Sequence, residues 1–202
     1  SRFVMDREGI LDPAILAPRL RERTNDETSI QCEMALAAAS EALACAGRRG
    51  EEIDCVLVAC SNLERPYPAV AIELQDRLGA GGWAYDMNVA CSSATFGIQA
   101  GVDTLRSGSA ERVLVANPEI CSGHLNFRDR DSHFIFGDAC TAVLLERSAR
   151  NGSKSAFRIL GTRLATRFSN NIRNNFGFLN RTRPETVAAD DEHAGVQIAV
   201  FR

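Results

Sequence analysis

The sequence lacks several patterns that mark specialised classes of protein. No apolar run in the 202 residues is as long as a membrane-spanning helix, and the opening residues, Ser1–Asp6, do not form a signal peptide. No long basic run occurs, and the net charge of −3 gives no reason to expect binding to nucleic acid or to an anionic membrane. No internal repeat is visible. We therefore expect a cytoplasmic globular protein with neither of those partners.

The seven cysteines lack the CxxC spacing of zinc sites and redox motifs, and their number is odd. In a cytoplasmic protein this composition predicts reduced thiols, without a disulfide framework or a metal site. Cys55 and Cys60 lie in a predicted strand, and Cys32 and Cys45 lie in a predicted helix. We interpret these four as core residues.

Helix and strand patterns alternate along the chain, and 45% hydrophobic residues are enough for one good core. Such alternation predicts an α/β layered sheet. Residues 1–28, with Pro13 and Pro18, and residues 169–180, with five asparagines, are predicted to be irregular. A polar loop is predicted from Pro118 to Ser132. The predicted helices cover 29–46 and 68–78, and the predicted strands cover 55–60, 83–87, 112–117, 142–145 and 157–164.

The segment Asp86–Gly97 carries the strongest chemical signal, because an apolar strand leads into Cys91 and then directly into an amphipathic helix. A cysteine at the start of a helix lies beside backbone N–H groups and the positive end of the helix dipole, which favour the thiolate. Cys91 is therefore a candidate nucleophile. Because free cysteines are among the most buried residues, a core role is the alternative.

The predicted helix after Cys91 has one apolar stripe and ends before Gly108. Gly97 and Gly101 lie one turn apart in it, and glycines lower the stability of a helix. We therefore expect a closely packed partner against that face. The stripe consists of Ala94, Ile98, Val102 and Leu105.

Two separated motifs, DMNVACSSATFGIQAG over residues 86–101 and FGDACTAVLLE over residues 136–146, resemble a known family. They are similar to the nucleophile segment and the following glycine-aspartate strand of β-ketoacyl-acyl-carrier-protein synthase III, of the thiolase superfamily. The resemblance runs from about Asn25 to about Arg147. It implies the N-terminal half of a thiolase-like fold, with a mixed five-stranded sheet and helices on both faces. The chain then divides into an irregular leading segment (1–28), the half-domain (29–167) and a loop-rich segment (168–202) before an absent second half.

The resemblance also implies a reaction. In the family, the cysteine thiolate takes the acyl group from acyl-coenzyme A, and a decarboxylative Claisen condensation with malonyl-acyl-carrier protein follows, which initiates fatty-acid synthesis. Cys91 matches the nucleophile. Coenzyme A thioester is a substrate, so no separate cofactor is expected, and the family implies a homodimer. The family's catalytic histidine and asparagine belong to the second half, so these 202 residues alone are expected not to condense.

Two further residues match family positions. Arg130 resembles the arginine that stacks on the adenine of coenzyme A, and its alternative is an ion pair with Asp129 or Asp131. Tyr67 resembles the aromatic residue that crosses the dimer interface and closes the partner's acyl pocket, and its alternative is a turn residue between two prolines.

His124 and His133 do not match the family's catalytic histidine, so we interpret both as loop residues. Residues 92–94 are Ser-Ser-Ala where many members carry Ala-Gly-Phe, so the acyl-chain length stays open, and a primer longer than acetyl is compatible with these small side chains. Two alternative functions also stay open. One is a synthase of a secondary metabolite or of hydroxymethylglutaryl-coenzyme A, and the other is a non-catalytic half that only assembles with a partner, against which Cys91 argues.

Overall fold

The computed structural model describes residues 6–18, 23–131, 133–147, 156–174 and 196–198. Two compact units divide the chain. The larger unit comprises Glu22–Glu119 and Ala139–Leu164, and the smaller unit comprises Ser1–Arg21, Ile120–Asp138 and Ala165–Arg202. The sequence-based division at residues 28 and 167 stays a prediction.

A four-stranded sheet forms the centre of the larger unit, in the order β2-β1-β3-β4. Strand β1 is parallel to both neighbours, with Cys55 opposite Trp83 of β2 and Val113 of β3. Strands β3 and β4 run antiparallel, because the Arg147 N–H donates to the Glu111 carbonyl at one end while Thr141 contacts Asn117 nearer the other. The sheet is therefore mixed, as predicted. The strands are β1 (Cys55–Ala59), β2 (Trp83–Met87), β3 (Arg112–Ile120) and β4 (Asp138–Glu146).

Helices cover both faces of this sheet. Alternate residues of β1 point to opposite sides, so Val56 and Val58 pack with α2 (Ile30–Ala46) and α3 (Val70–Leu78), whereas Leu57 packs with α4 (Ser93–Ser107). All five residues of β1 are buried. The continuous apolar run therefore belongs to a strand covered on both faces, which confirms the layered α/β prediction.

The ends of α2 follow signals that are local in the sequence. The Ser29 hydroxyl accepts a 3.2 Å hydrogen bond from the Cys32 N–H, which caps the first turn. Gly47 adopts a left-handed conformation with φ = +63°, and its N–H contacts the last carbonyls of the helix. The predicted helix over 29–46 is confirmed.

The predicted strand over 157–164 is wrong. No strand occurs in the described residues 156–171, and Phe157 and Leu160 are 96% and 82% exposed. An apolar pattern forms a strand only where a neighbouring strand accepts its backbone hydrogen bonds. Among the described residues the main sheet accordingly has four strands, not the five that were predicted.

Other boundaries also differ from the predictions. Strand β3 continues through the fully buried Pro118 to Ile120, so the predicted loop starts later. The leading segment contains one short helix, α1 (Arg7–Leu11), whose N–H at Gly9 donates to the Asp6 carboxylate. The region predicted to be irregular after residue 168 contains β5 (Ile172–Asn174), which pairs antiparallel with β6 (Val196–Ile198).

The cysteine predictions hold for three of the four proposed core residues. Cys32, Cys55 and Cys60 are fully buried, but Cys45 is exposed on the outer side of α2, so its assignment to the core was wrong. Within the described ranges, no helix is both long and apolar enough to cross a membrane. In the same ranges, no three His, Cys, Asp or Glu side chains are grouped as a metal ion would need.

Candidate active site

Cys91 lies in the loop between β2 and α4, beyond the carboxyl end of a parallel strand. It is exposed, so the alternative of a core cysteine is wrong. Helix α4 starts two residues later, and no described side chain caps its N-terminus at Ser92. The Ser92 and Ser93 N–H groups donate to the Val89 and Ala90 carbonyls, and the positive end of the helix dipole lies directly after Cys91 in the chain.

The loop before Cys91 contains a conformation that side chains seldom adopt. Ala90 has φ = +47°, in the left-handed region. The Ser93 hydroxyl accepts a 2.8 Å hydrogen bond from the Val89 N–H and donates a 2.7 Å bond to the Ala90 carbonyl. Ser93 is 2% exposed. A buried hydroxyl therefore closes a tight elbow between β2 and α4, and Cys91 lies within that elbow.

Polar side chains from three parallel strands meet at the same edge of the sheet. Asn88 follows β2, and its side chain donates to the Ser61 carbonyl at 2.8 Å and accepts from the Ala90 N–H at 2.8 Å. The Ser61 hydroxyl donates to Glu119, in β3, at 2.7 Å. Ligands of α/β proteins commonly bind at the carboxyl ends of parallel strands. We call Ser61, Asn88 and Glu119 the carboxyl-edge cluster.

Sequence reasoning missed the carboxyl-edge cluster, although the sequence contains a signal for it. Each member lies at or just after the end of a predicted apolar strand, and parallel strands bring their carboxyl ends together. Ser61 is 27 residues from Asn88 and 58 residues from Glu119 in the chain. Only the strand order joins them.

Helix α4 packs very closely against the sheet at its two glycines. A Cβ atom on Gly97 would lie 2.9 Å from Ala59 Cβ and Val115 Cγ1, and one on Gly101 would lie 2.5 Å from Leu145 Cδ1. Such distances exclude a side chain unless a neighbour moves. The close partner predicted for this face is therefore present, and it fixes the helix that begins behind Cys91.

Four cysteines other than Cys91 have pKa values that burial raises. Burial raises the pKa of Cys32 to about 12 and the pKa values of Cys55 and Cys140 to about 11. It also raises the pKa of Cys60, whose thiol donates to the Pro118 carbonyl at 2.9 Å. These four groups remain thiols near neutral pH.

Tyr67 lies in the turn between β1 and α3 and is 82% exposed. The bond from Tyr67 to Pro68 is cis. The residue thus occupies a turn between two prolines, and it also presents a large aromatic surface to solvent. Both interpretations of this residue stay open.

Arg130 lies on an exposed loop of the smaller unit. Its side chain is exposed, and aspartates flank it on both sides, at Asp129 and Asp131. Adenine stacking and an ion pair with a flanking aspartate therefore both stay open for Arg130. In the same unit, His133 Nδ1 lies 2.8 Å from the Asp129 carbonyl, as expected of a loop histidine, and His124 follows the short 3₁₀ turn Cys121–Gly123.

A family model and a curated relative that are similar to this chain describe the same kind of enzyme. Residues 85–167 match the family model described as 3-oxoacyl-[acyl-carrier-protein (ACP)] synthase III. The chain is 64% identical, over 192 residues, to a β-ketodecanoyl-[acyl-carrier-protein] synthase of Pseudomonas aeruginosa. The match covers 95% of this chain and 55% of that protein, so the chain spans about half the length of this relative.

Solved structures show the same likeness in the fold. One is 3-oxoacyl-[acyl-carrier-protein] synthase III from Aquifex aeolicus, with 30% identity and a TM-score of 0.57, over 66% of this chain and 43% of that one. Another is the priming β-ketosynthase of the R1128 polyketide pathway, with 29% identity and a TM-score of 0.56, over 67% of this chain and 40% of that one. The resemblance inferred from the two motifs is thereby confirmed, together with the thiolase-like fold.

Proposed function

We propose that this chain, a member of the β-ketoacyl-acyl-carrier-protein synthase III family, supplies the nucleophile of a decarboxylative condensing enzyme. The observation that carries the proposal is the position of Cys91: an exposed thiol at the N-terminus of a 15-residue helix, just beyond the carboxyl end of a parallel strand. An accessible thiolate is what the attack on a thioester requires.

The first half-reaction transfers an acyl group to Cys91. The thiolate Sγ attacks the carbonyl carbon of acyl-coenzyme A, and the resulting tetrahedral oxyanion collapses with release of the coenzyme A thiolate. The Cys91 backbone N–H belongs to the group of donors that we propose for that oxyanion, because donors at the start of a helix suit developing negative charge. The product is an acyl-Cys91 thioester.

The second half-reaction forms the carbon–carbon bond. Malonyl-acyl-carrier protein loses carbon dioxide, and the carbanion attacks the acyl carbonyl carbon and expels the Cys91 thiolate. The resemblance assigns the donors for decarboxylation to a histidine and an asparagine that no residue of this chain matches. We propose that both lie in the part of the relatives' length that this chain does not span.

The proposed primer is a medium-chain acyl group. The Pseudomonas aeruginosa relative is named for a β-ketodecanoyl product, which has ten carbons. Two of them come from the malonyl unit after carbon dioxide leaves, so the primer has eight carbons and is octanoyl. The Ser-Ser-Ala sequence after Cys91 supports this proposal, because small side chains near the nucleophile leave room for acyl carbons.

Arg130 and Tyr67 have proposed roles in binding. The exposed Arg130 guanidinium is suited to stack on the adenine of coenzyme A. The exposed Tyr67 ring is suited to cover the acyl pocket of a partner subunit in a homodimer. The solution mass of Tyr67→Ala, together with its rate of octanoyl transfer, tests the second role. We place the reaction in the cytoplasm, where cysteine thiols such as that of Cys91 stay reduced.

The test is acyl transfer to Cys91 in the full-length protein. After incubation with octanoyl-coenzyme A, mass spectrometry should find one octanoyl group on the peptide that contains Cys91. Cys91→Ala should abolish the adduct. Cys45→Ala, which removes the other clearly exposed thiol, should leave it unchanged. An unmodified wild-type Cys91 would overturn the proposal and favour a non-catalytic assembly role.

A polyketide-priming function is the second candidate, because the R1128 priming β-ketosynthase shares the fold at 29% identity. Both candidates use the same acyl-Cys91 intermediate and differ in the carrier protein that receives it. Condensation assays with malonyl groups on fatty-acid and polyketide carrier proteins separate them. Preference for the fatty-acid carrier supports the first candidate.

A further inference from the structure

The left-handed conformation of Ala90 needs support from its surroundings. At φ = +47° the Cβ of an alanine approaches the following carbonyl oxygen, which makes this conformation unfavourable. Backbone of this kind persists only where other contacts hold it. Because Ala90 directly precedes Cys91, the contacts that hold it also determine where the Cys91 thiol lies.

Ser93 supplies one set of these contacts from the first turn of α4. Its hydroxyl accepts from the Val89 N–H and donates to the Ala90 carbonyl, at 2.8 and 2.7 Å. The Ser93 N–H also donates to the Ala90 carbonyl, at 3.0 Å. One buried serine therefore joins the backbone before and after Cys91.

Asn88 holds Ala90 from the side of the sheet. Its Oδ1 accepts the Ala90 N–H at 2.8 Å while its Nδ2 donates to the Ser61 carbonyl at 2.8 Å. The Glu119 carboxylate in turn accepts from the Ser61 hydroxyl at 2.7 Å. This series of contacts fixes the loop to the ends of β1 and β3.

We infer that Ser93 and Asn88 are positioning residues for Cys91. They hold Ala90 in the left-handed conformation, and the thiol of the next residue thereby stays at the N-terminus of α4, open to a thioester substrate. Neither side chain takes part in bond making. The inference rests on the proposed function where it names Cys91 the nucleophile, but the geometry exists without substrate.

The test compares two exposed thiols in one molecule. Both cysteines are exposed, but Cys91 lies at the start of α4, whereas Cys45 lies in the last turn of α2. The ratio of their alkylation rates with iodoacetamide, measured by mass spectrometry on the folded full-length protein without substrate, reports the surroundings of Cys91. We expect Ser93→Ala and Asn88→Ala each to lower this ratio by about tenfold.

The variant Ala90→Gly distinguishes a positioning role of the Ser93 hydroxyl from a role in packing alone. Glycine adopts positive φ without the Cβ contact, so Ala90→Gly reduces the need for the Ser93 hydroxyl. The double variant Ser93→Ala/Ala90→Gly should recover a large part of the lost Cys91 reactivity. A hydroxyl that served only to fill space would give no such recovery.

Two serines serve as matched controls. Ser29 is 1% exposed, and its hydroxyl likewise accepts one hydrogen bond, from the Cys32 N–H, and donates one, to the Glu73 carboxylate. Ser29→Ala should lower the melting temperature and leave the alkylation ratio unchanged. Ser107→Ala removes an exposed hydroxyl that donates to the Thr104 carbonyl in α4, and it should change neither.

A ratio within about twofold of wild type in both Ser93→Ala and Asn88→Ala would overturn the inference. If Ser93→Ala does not fold, Asn88→Ala alone decides, because Asn88 is exposed and its replacement leaves the core intact. The octanoyl-transfer assay is independent of this result. A wild-type protein that is not acylated, combined with lowered ratios in the variants, would remove the proposed function and retain the positioning role.

Discussion

The carboxylate of Asp86 accepts a 2.9 Å hydrogen bond from the backbone N–H of Val70, 16 residues earlier in the chain. Its second oxygen accepts from the Ala71 N–H at 2.8 Å. Asp86 belongs to β2, so a strand residue caps the N-terminus of α3, where Ala69 offers no side-chain oxygen. The same strand leads into Cys91. The cap therefore fixes the N-terminus of α3 to the strand that precedes the candidate nucleophile.

Replacing Asp86 should destabilise the protein. Asp86→Ala leaves two helix N–H groups without their acceptor, and we expect the free energy of unfolding in urea to fall by about 1–2 kcal/mol. Asp103→Ala is the control, because Asp103 is exposed on α4 and accepts from the Gln99 side chain. Equal losses in the two variants would show that the cap has no special role.

The two glycines of α4 should differ in their tolerance of alanine. Gly97 faces the stiff Ala59 and Val115 side chains, whereas the nearest atom to a Cβ at Gly101 is the movable end of Leu145. We expect Gly97→Ala to lower the free energy of unfolding by about 1–3 kcal/mol, and Gly101→Ala by less. Gly97→Ala should also slow octanoyl transfer, because it shifts the helix behind Cys91. The reverse order of stabilities would contradict this account of the packing.

Glu73 should give the protein a measurable pH dependence. Burial raises the pKa of this carboxyl, but hydrogen bonds from the Ser29 N–H and hydroxyl and the ion pair with Arg65 outweigh burial, so the pKa lies below its ordinary value of 4.5. A carboxyl with a lower pKa in the folded state stabilises it above the unfolded pKa. That contribution is lost as the pH falls through the folded value.

We therefore expect Glu73→Gln to be less stable than wild type at neutral pH, and the difference to shrink as the pH is lowered below about 4.5. Urea unfolding at a series of pH values measures this difference. Glu41→Gln, at an exposed position of α2, should follow the wild-type curve. A constant difference between Glu73→Gln and wild type at every pH would rule out an ionic contribution from this carboxylate.

Elements with local signals could be predicted from the sequence. The start of α2 after Ser29 and its end at Gly47 have signals in neighbouring residues, and the buried run of β1 is visible in its composition. The prediction of a strand over 157–164 was wrong because a strand also needs a neighbouring strand for its backbone hydrogen bonds. A local apolar pattern carries no information on that neighbour. Cys45 was misplaced because α2 is rich in alanine, which marks no polar face.

The site was predictable only in part. The context of Cys91 in the sequence, between a strand and a helix, was enough to identify the elbow. The hydrogen bonds that hold the elbow were not visible, because Asn88 reaches Ser61, 27 residues away, and Ser61 reaches Glu119, 58 residues away. The left-handed conformation of Ala90 was equally hidden, since alanine gives no indication of positive φ.

Arg130 should affect substrates that contain adenine and no others. If its guanidinium stacks on that ring, Arg130→Ala should raise the KM for octanoyl-coenzyme A by about tenfold and leave transfer from octanoyl-pantetheine, which lacks adenine, nearly unchanged. Arg130→Lys should not restore binding, because an ammonium group has no plane to stack. Arg128→Ala, at an exposed position on the same loop, is the matched control for the loss of one positive charge. An equal loss with both substrates would assign Arg130 a role away from adenine, and an equal effect of Arg128→Ala would reduce that role to general attraction of the coenzyme A phosphates.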